Sequence, residues 1–166
     1  MAPLAQGFEQ GSLQTLRQEV LNNLLPGTLL LNHLIGQFQK RSQNSAIITI
    51  GSAFGDLGSP FNAPSAGNMG FMNYLTRSLA YEVDEKIDVL LVTPGPLQKD
   101  GVYGQYERFN AKSEEVVKNS LRNLGGKKWI VGCPKQGALY YMMRRMPKLT
   151  EKMLMVRGLM NIQANK

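Results

Sequence analysis

The 166-residue chain has a single cysteine, a single histidine and a single tryptophan. Cys133 has no partner for an internal disulfide, so a reducing compartment is allowed but not required. One histidine cannot build a histidine-rich metal site. His33 lies beside an apolar stripe, which predicts a packed core or interface side chain rather than a ligand. No apolar run reaches the roughly 18 residues needed to span a bilayer. The longest candidate, around residues 24–35, is broken by Pro26, Gly27, Asn32 and His33. The first 14 residues lack a basic n-region and an apolar h-region, which argues against secretion. They are also poor in arginine and contain Glu9, which argues against an N-terminal mitochondrial presequence. Acidic residues nearly vanish at the far end. Residues 125–166 hold nine basic side chains against one acid, Glu151, so their net +8 leaves the other 124 residues at −1 in a chain of +7. Any function built on charge belongs to that tail.

What remains reads as one globular domain over residues 1–166, with 134–166 as a basic, Met-rich helical tail. Hydrophobic residues make up 43% and charged residues 19%, ordinary values for a chain that builds a core.

Leu13, Leu16, Val20 and Leu24 recur at helical spacing behind Ser12, a plausible N-cap, and the pattern resumes to Phe38 after a kink expected at Pro26. Ala46–Ile50 and Ile87–Thr93 read as buried parallel strands, each followed by a Gly- or Pro-containing turn. Between them a helix capped by Ser65 runs to about Val83, with Phe71, Leu75, Leu79 and Val83 on its packing face. Residues 99–109 read as irregular. A helix opens at Ser113 and stops at Gly125-Gly126. Residues 128–133 form a third strand candidate, and helices from Leu139 to about Gln163 are split near Pro147. Alternation of this kind predicts an α/β fold with about three parallel strands and flanking helices.

Within that frame four stretches carry a resemblance: Ile-Thr-Ile-Gly-Ser-Ala-Phe-Gly (48–55), Pro-Ser-Ala-Gly-Asn-Met-Gly-Phe (64–71), Arg-Ser-Leu-Ala-Tyr-Glu (77–82) and Val-Thr-Pro-Gly (92–95). Together they resemble the C-terminal half of a short-chain dehydrogenase/reductase. The 113–125 helix and the Met-rich tail are similar to the branch of hydroxysteroid dehydrogenase-like proteins and very-long-chain 3-oxoacyl-CoA reductases. The resemblance implies the second half of a Rossmann-like, doubly wound sheet in a truncated, degenerate form. The nucleotide-binding half, with its Gly-rich turn, would be missing.

In the resembled family a serine, a tyrosine and a lysine four residues beyond the tyrosine form the catalytic set. Ser52 fits the serine, but the tyrosine position falls on Pro64 and the lysine position on Asn68. The spacing from Ser52 to Pro64 is one residue short, yet no shift recovers the pair, because no tyrosine or lysine lies between Ser52 and Asn73. The family's further asparagine corresponds to Asn23, or to Asn22 if the Pro26-Gly27 insertion shifts the register. The turn beside the nicotinamide corresponds to Pro94 and Gly95, and the threonine that often follows it to Lys99. These positions read as vestigial, with no catalytic set, no cofactor and no metal.

Three functions are therefore expected. The first is a catalytically inactive accessory subunit of a larger assembly, set in a mitochondrial or other organelle membrane by analogy. One protein partner would cover the open edge of Ala46–Ile50. The second is the substrate half of a split NADPH-dependent 3-ketoacyl or steroid reductase. The third is a membrane-surface module acting through 134–166. Nucleic acid is the least favoured partner: Tyr140 and Tyr141 offer stacking, but no nucleic-acid motif surrounds them.

Overall fold

The computed structural model describes residues 7–98 and 110–164, with side chains to residue 156. Lys99, and the irregular stretch expected over 99–109, lie outside the described residues.

After a single 3-10 turn at Phe8–Gln10, helix α1 spans Leu13–Gln39. Ser12 caps it, its Oγ accepting from Thr15 N at 3.1 Å. The break expected at Pro26 is absent: one 27-residue helix runs through it. Proline has no N–H to give the carbonyl four residues back, and neighbouring turns keep their bonds, among them Thr28 Oγ1 donating to Leu24 O at 2.8 Å.

Strand β1 (Ser45–Ile50) leads through the short helix α2 (Phe54–Leu57) to α3 (Ala63–Glu82). Helix α3 starts two residues before Ser65, which lies inside it. Asn62 takes the cap position, and the ring of Pro64 suits the first turn, where no N–H is needed. Strand β2 (Ile87–Val92) follows, then α4 (Ser113–Asn123), β3 (Trp129–Ile130), α5 (Pro134–Arg145) and α6 (Pro147–Ala164). The third strand is far shorter than the candidate 128–133. Its neighbour β2 offers it two residues of register, Leu91 to Trp129 and Val92 to Ile130. Helix α5 begins five residues before Leu139, with Pro134 in its first turn. Gly125, at φ +79°, ends α4 in a conformation that side-chain-bearing residues resist.

The sheet order is β1-β2-β3, all parallel. Strand alternation sends Ile47, Ile87 and Val89 to one face, where Leu31, Leu34, Ile35 and Phe38 of α1 and Leu75 and Leu79 of α3 cover them. Ile48, Leu90, Val92 and Ile130 go to the other face, under Val116 of α4. Phe71 is 44% exposed, so the expected packing stripe of α3 is only partly right. The fully inward side of α3 is small and polar: Ala66, Asn68, Gly70, Asn73, Thr76 and Ala80. His33 is exposed, not packed in a core or interface.

A candidate substrate site at the strand ends

The reason α3 turns a polar side inward lies at the C-terminal end of β1. Asn73 is fully buried. Its Oδ1 accepts from Ser52 N at 3.3 Å, and its Nδ2 donates to Ser52 O at 2.8 Å and to Asp56 Oδ1 at 3.2 Å. One amide thus satisfies the turn that leaves β1, where unpaired buried backbone groups would each cost about 1–3 kcal/mol. The approach is close. A Cβ on Gly55 would come within 2.7 Å of Gly70 N, and a Cβ on Gly70 within 2.9 Å of Gly55 O.

The second oxygen of Asp56 accepts from the Tyr140 hydroxyl at 3.0 Å, which ties α5 to the same turn. Burial, and then the Asp56 carboxylate beside it, push the Tyr140 phenol up from 10.0 to about 12. The ring is 2% exposed and meets Trp129 edge-on, centroids 5.6 Å apart. It therefore cannot serve the base stacking considered for it from sequence. Trp129 in turn donates through Nε1 to Thr93 Oγ1 at 2.9 Å.

Between this turn and α5–α6 lies an apolar pocket of about 80 Å³, walled by Ala53, Phe54 and Leu57 on one side and by Tyr140, Met143, Met153 and Leu154 on the other. Gly95 and Pro96 form its floor. Gln136 fixes them, its Oε1 accepting from Gly95 N at 3.1 Å and its Nε2 donating to Pro96 O at 2.8 Å. The Met-rich tail thus packs its Met143, Met153 and Leu154 against the body. Met142, Met146 and Met155 stay 45–48% exposed.

The residues singled out from sequence do not form one constellation. Asn23 and Asn68 do come together: both side-chain amides donate to the carbonyl of Glu19, at 2.7 and 3.4 Å. With Gly51 and Ser65 they line a cleft of about 210 Å³ beside the exposed Ile50. Ser52 is adjacent, but its hydroxyl accepts from Phe54 N at 3.2 Å and serves the start of α2. Pro64 belongs to a different cleft, with Thr15, Glu19 and Phe61. Pro94 is buried, and Gly95 faces the apolar pocket. Asn22 is exposed on α1. Sequence reasoning missed Asn73, Asp56, Gln136 and the structural use of Tyr140. The available signal was the pair of glycines, Gly55 and Gly70, flanking polar residues where a packing face was expected. Among the described residues no group of acidic, histidine or cysteine side chains is placed to hold a metal, and no helix is long and apolar enough to cross a membrane.

The fold is a parallel α/β sheet with helices on both faces, and the apolar pocket lies beside the turn that leaves β1. No protein-family profile matches the chain. A 7β-hydroxysteroid dehydrogenase from Clostridium sardiniense is 32% identical over 112 residues, a match covering 63% of this chain and 42% of the relative. Among solved structures, a 7β-hydroxysteroid dehydrogenase superposes with a TM-score of 0.74 at 17% identity, over 83% of this chain and 57% of the other. A 3-ketoacyl-(acyl-carrier-protein) reductase from Brucella melitensis in complex with NADH gives 0.67 at 16%, over 82% and 64%. The chain thus has weak homology to a hydroxysteroid dehydrogenase and the Rossmann-like fold of the short-chain dehydrogenase/reductase family, of which it spans about half the length.

These findings overturn the expectation of a catalytically inactive chain, since the relative and the structural neighbours compared above are named as dehydrogenases or reductases. That expectation rested on Pro64 and Asn68 at the tyrosine and lysine positions and on the missing nucleotide-binding half. The hydride in such reactions belongs to the nucleotide, and one phenol outside the expected positions, Tyr140, lies at the pocket wall.

Proposed function

We propose that this chain forms the substrate side of a nicotinamide-dependent oxidoreductase that interconverts a hydroxyl and a keto group on a large apolar substrate of the steroid or acyl class. The observation that carries the reading is the apolar pocket held between the Ser52–Asp56 turn and α5–α6, in a chain homologous to a hydroxysteroid dehydrogenase. At about 80 Å³ the pocket is one end of a site, since full ligand pockets run to about 300–1,000 Å³. It grips an apolar edge. The polar groups on its wall are already bonded to one another, Gln136 to the Gly95–Pro96 backbone and Tyr140 to Asp56.

A nicotinamide dinucleotide would supply the hydride. The donors of the neighbouring cleft, Asn23, Asn68 and Ser65, are neutral and suit sugar hydroxyls rather than phosphates. The pyrophosphate would be held elsewhere, by backbone amides of a Gly-rich turn. Tyr140 remains protonated at any physiological pH and is the phenol nearest the apolar pocket.

The test is NAD(P)H oxidation by this chain fused behind the N-terminal segment of the Clostridium sardiniense relative, offered 7-ketosteroids and 3-ketoacyl thioesters. Turnover of either class supports the reading. Nucleotide binding without turnover of any keto substrate argues against it.

A second reading, membership of a larger assembly as an accessory subunit, draws support from the exposed apolar residues of α1 and the open edge of β1. The basic α5–α6 region is the part of the chain suited to an organelle membrane surface. Co-purification of a defined set of subunits from native membranes would support this reading, and a monomer in every native extract would remove it.

A further inference from the structure

Helices α5 and α6 form a layer that is apolar on both sides. Met143, Met153 and Leu154 face inward and wall the apolar pocket. On the outer side, around the bend at Met146, the side chains of Tyr141, Met142, Met146 and Leu149 are 55%, 48%, 47% and 44% exposed. The bend is held firmly. Thr150, 6% exposed, donates through Oγ1 to Met143 O at 2.6 Å, and its N–H donates to Met146 O at 3.0 Å. A helix pair with apolar residues on both sides has a second surface to bury.

The charge around this bend is of one sign. Between Glu115 and Glu151 the chain has eight basic residues and no acid. Arg144, Arg145, Lys148 and Lys152 are exposed among the outer apolar residues. None of the four forms an ion pair with a carboxylate of the described residues. That mixture selects the occupant. A second copy would bring the same unpaired cations against these, and an apolar protein face would bury them without partners. An anionic lipid surface accepts both kinds of side chain. Long Arg and Lys stems keep the charge at the headgroups while apolar side chains sink to the acyl boundary. Met adapts to an irregular surface, and Tyr suits the boundary itself.

We infer that the α5–α6 bend docks on an anionic lipid surface, with Met142, Met146 and Leu149 at the acyl boundary and Arg144, Arg145, Lys148 and Lys152 among the headgroups. The inner sides of the same two helices wall the apolar pocket. Docking therefore brings that pocket to within one helix layer, about 10 Å, of the bilayer. It rests on the membrane part of the second reading above, but it needs no other subunit and no turnover. The chain alone can test it, so it stands or falls apart from membership of an assembly and from oxidoreductase activity.

The experiment floats the full chain with vesicles of phosphatidylcholine, or of phosphatidylcholine mixed with phosphatidylserine. Flotation is expected only with phosphatidylserine. It should fall at least tenfold as salt rises from about 0.1 M to about 1 M, where the Debye length drops from about 10 Å to about 3 Å. Arg145→Glu combined with Lys148→Glu should weaken partition at least tenfold with an unchanged thermal midpoint, since each cation near an anionic surface is worth about fivefold. A polarity-sensitive label reports depth. Cys133 is 3% exposed, so Leu149→Cys takes the label selectively. Its emission should shift to the blue on anionic vesicles, while a label on Lys40→Cys, at the C-cap of α1, should not shift. No flotation on anionic vesicles would overturn the inference. So would a charge-reversed protein that floats as well as the parent, or an unshifted label on Leu149→Cys. A dimer in native mass that Leu149→Asp dissolves would assign the face to a second copy instead.

Discussion

Asp56 accepts from Asn73 with one carboxylate oxygen and from Tyr140 with the other, at 3.2 and 3.0 Å, joining α3 to α5 through the turn that follows β1. Three elements far apart in sequence are fixed at one point, and the apolar pocket lies beside it.

That junction makes Asn73 a stability residue. Asn73→Leu would leave the amide of Ser52 and one oxygen of Asp56 without the Asn73 partner, while the Ser52 carbonyl keeps its bond from Gly55 N. A loss of about 2–4 kcal/mol is expected in urea unfolding, from penalties of about 1–3 kcal/mol per buried group partly relieved by water. A variant within 0.5 kcal/mol of the parent would show that the network is not holding the turn.

The Tyr140 phenol also sets a pH dependence. Its folded pKa of about 12 stands above the ordinary 10.0, so the folded state holds this proton more tightly than the unfolded state. The stabilisation is complete below pH 10 and is lost as pH rises through the interval from 10 to 12. Tyr140→Phe should flatten that part of the stability curve relative to the parent. Identical slopes for the two proteins would remove Tyr140 as the cause.

Gly55 is required by space, not by its backbone angles. Gly55→Ala would drive a methyl to within 2.7 Å of the Gly70 amide, and backbone cannot swing aside as a side chain can. The expected cost is about 1–3 kcal/mol in thermal or urea unfolding. A neutral substitution would mean that α2 and α3 are farther apart than described.

Leu154 is 7% exposed and walls the pocket from α6. Leu154→Ala should cost about 2–5 kcal/mol while enlarging the cavity. Binding of a small apolar probe should rise by calorimetry, whereas Leu154→Trp should reduce it. If neither variant changes probe binding, α6 does not form the wall.

Much of the fold was legible because strands such as IDVLLV are apolar on both sides, and only a doubly covered parallel strand uses that pattern. The break at Pro26 was misread because local propensity says nothing of the packing of Leu31, Leu34 and Ile35 that carries the helix onward. The third strand was overextended since Val131 and Cys133 are as apolar as strand residues but pack in loops around Tyr140 and Val116. The site was less legible still. Asn73, Asp56 and Tyr140 are spread over 84 positions and meet only through the tertiary fold. The positions read by resemblance, Ser52, Pro64 and Asn68, turned out to line three different surroundings.

Isotope transfer tests the proposed chemistry most directly. The fused protein would be supplied with NADPH deuterated at the transferable position and a 7-ketosteroid or 3-ketoacyl thioester, and the product alcohol analysed by mass spectrometry. The account predicts one deuterium at the new carbinol carbon. Unchanged keto substrate alongside demonstrably bound NADPH would contradict it.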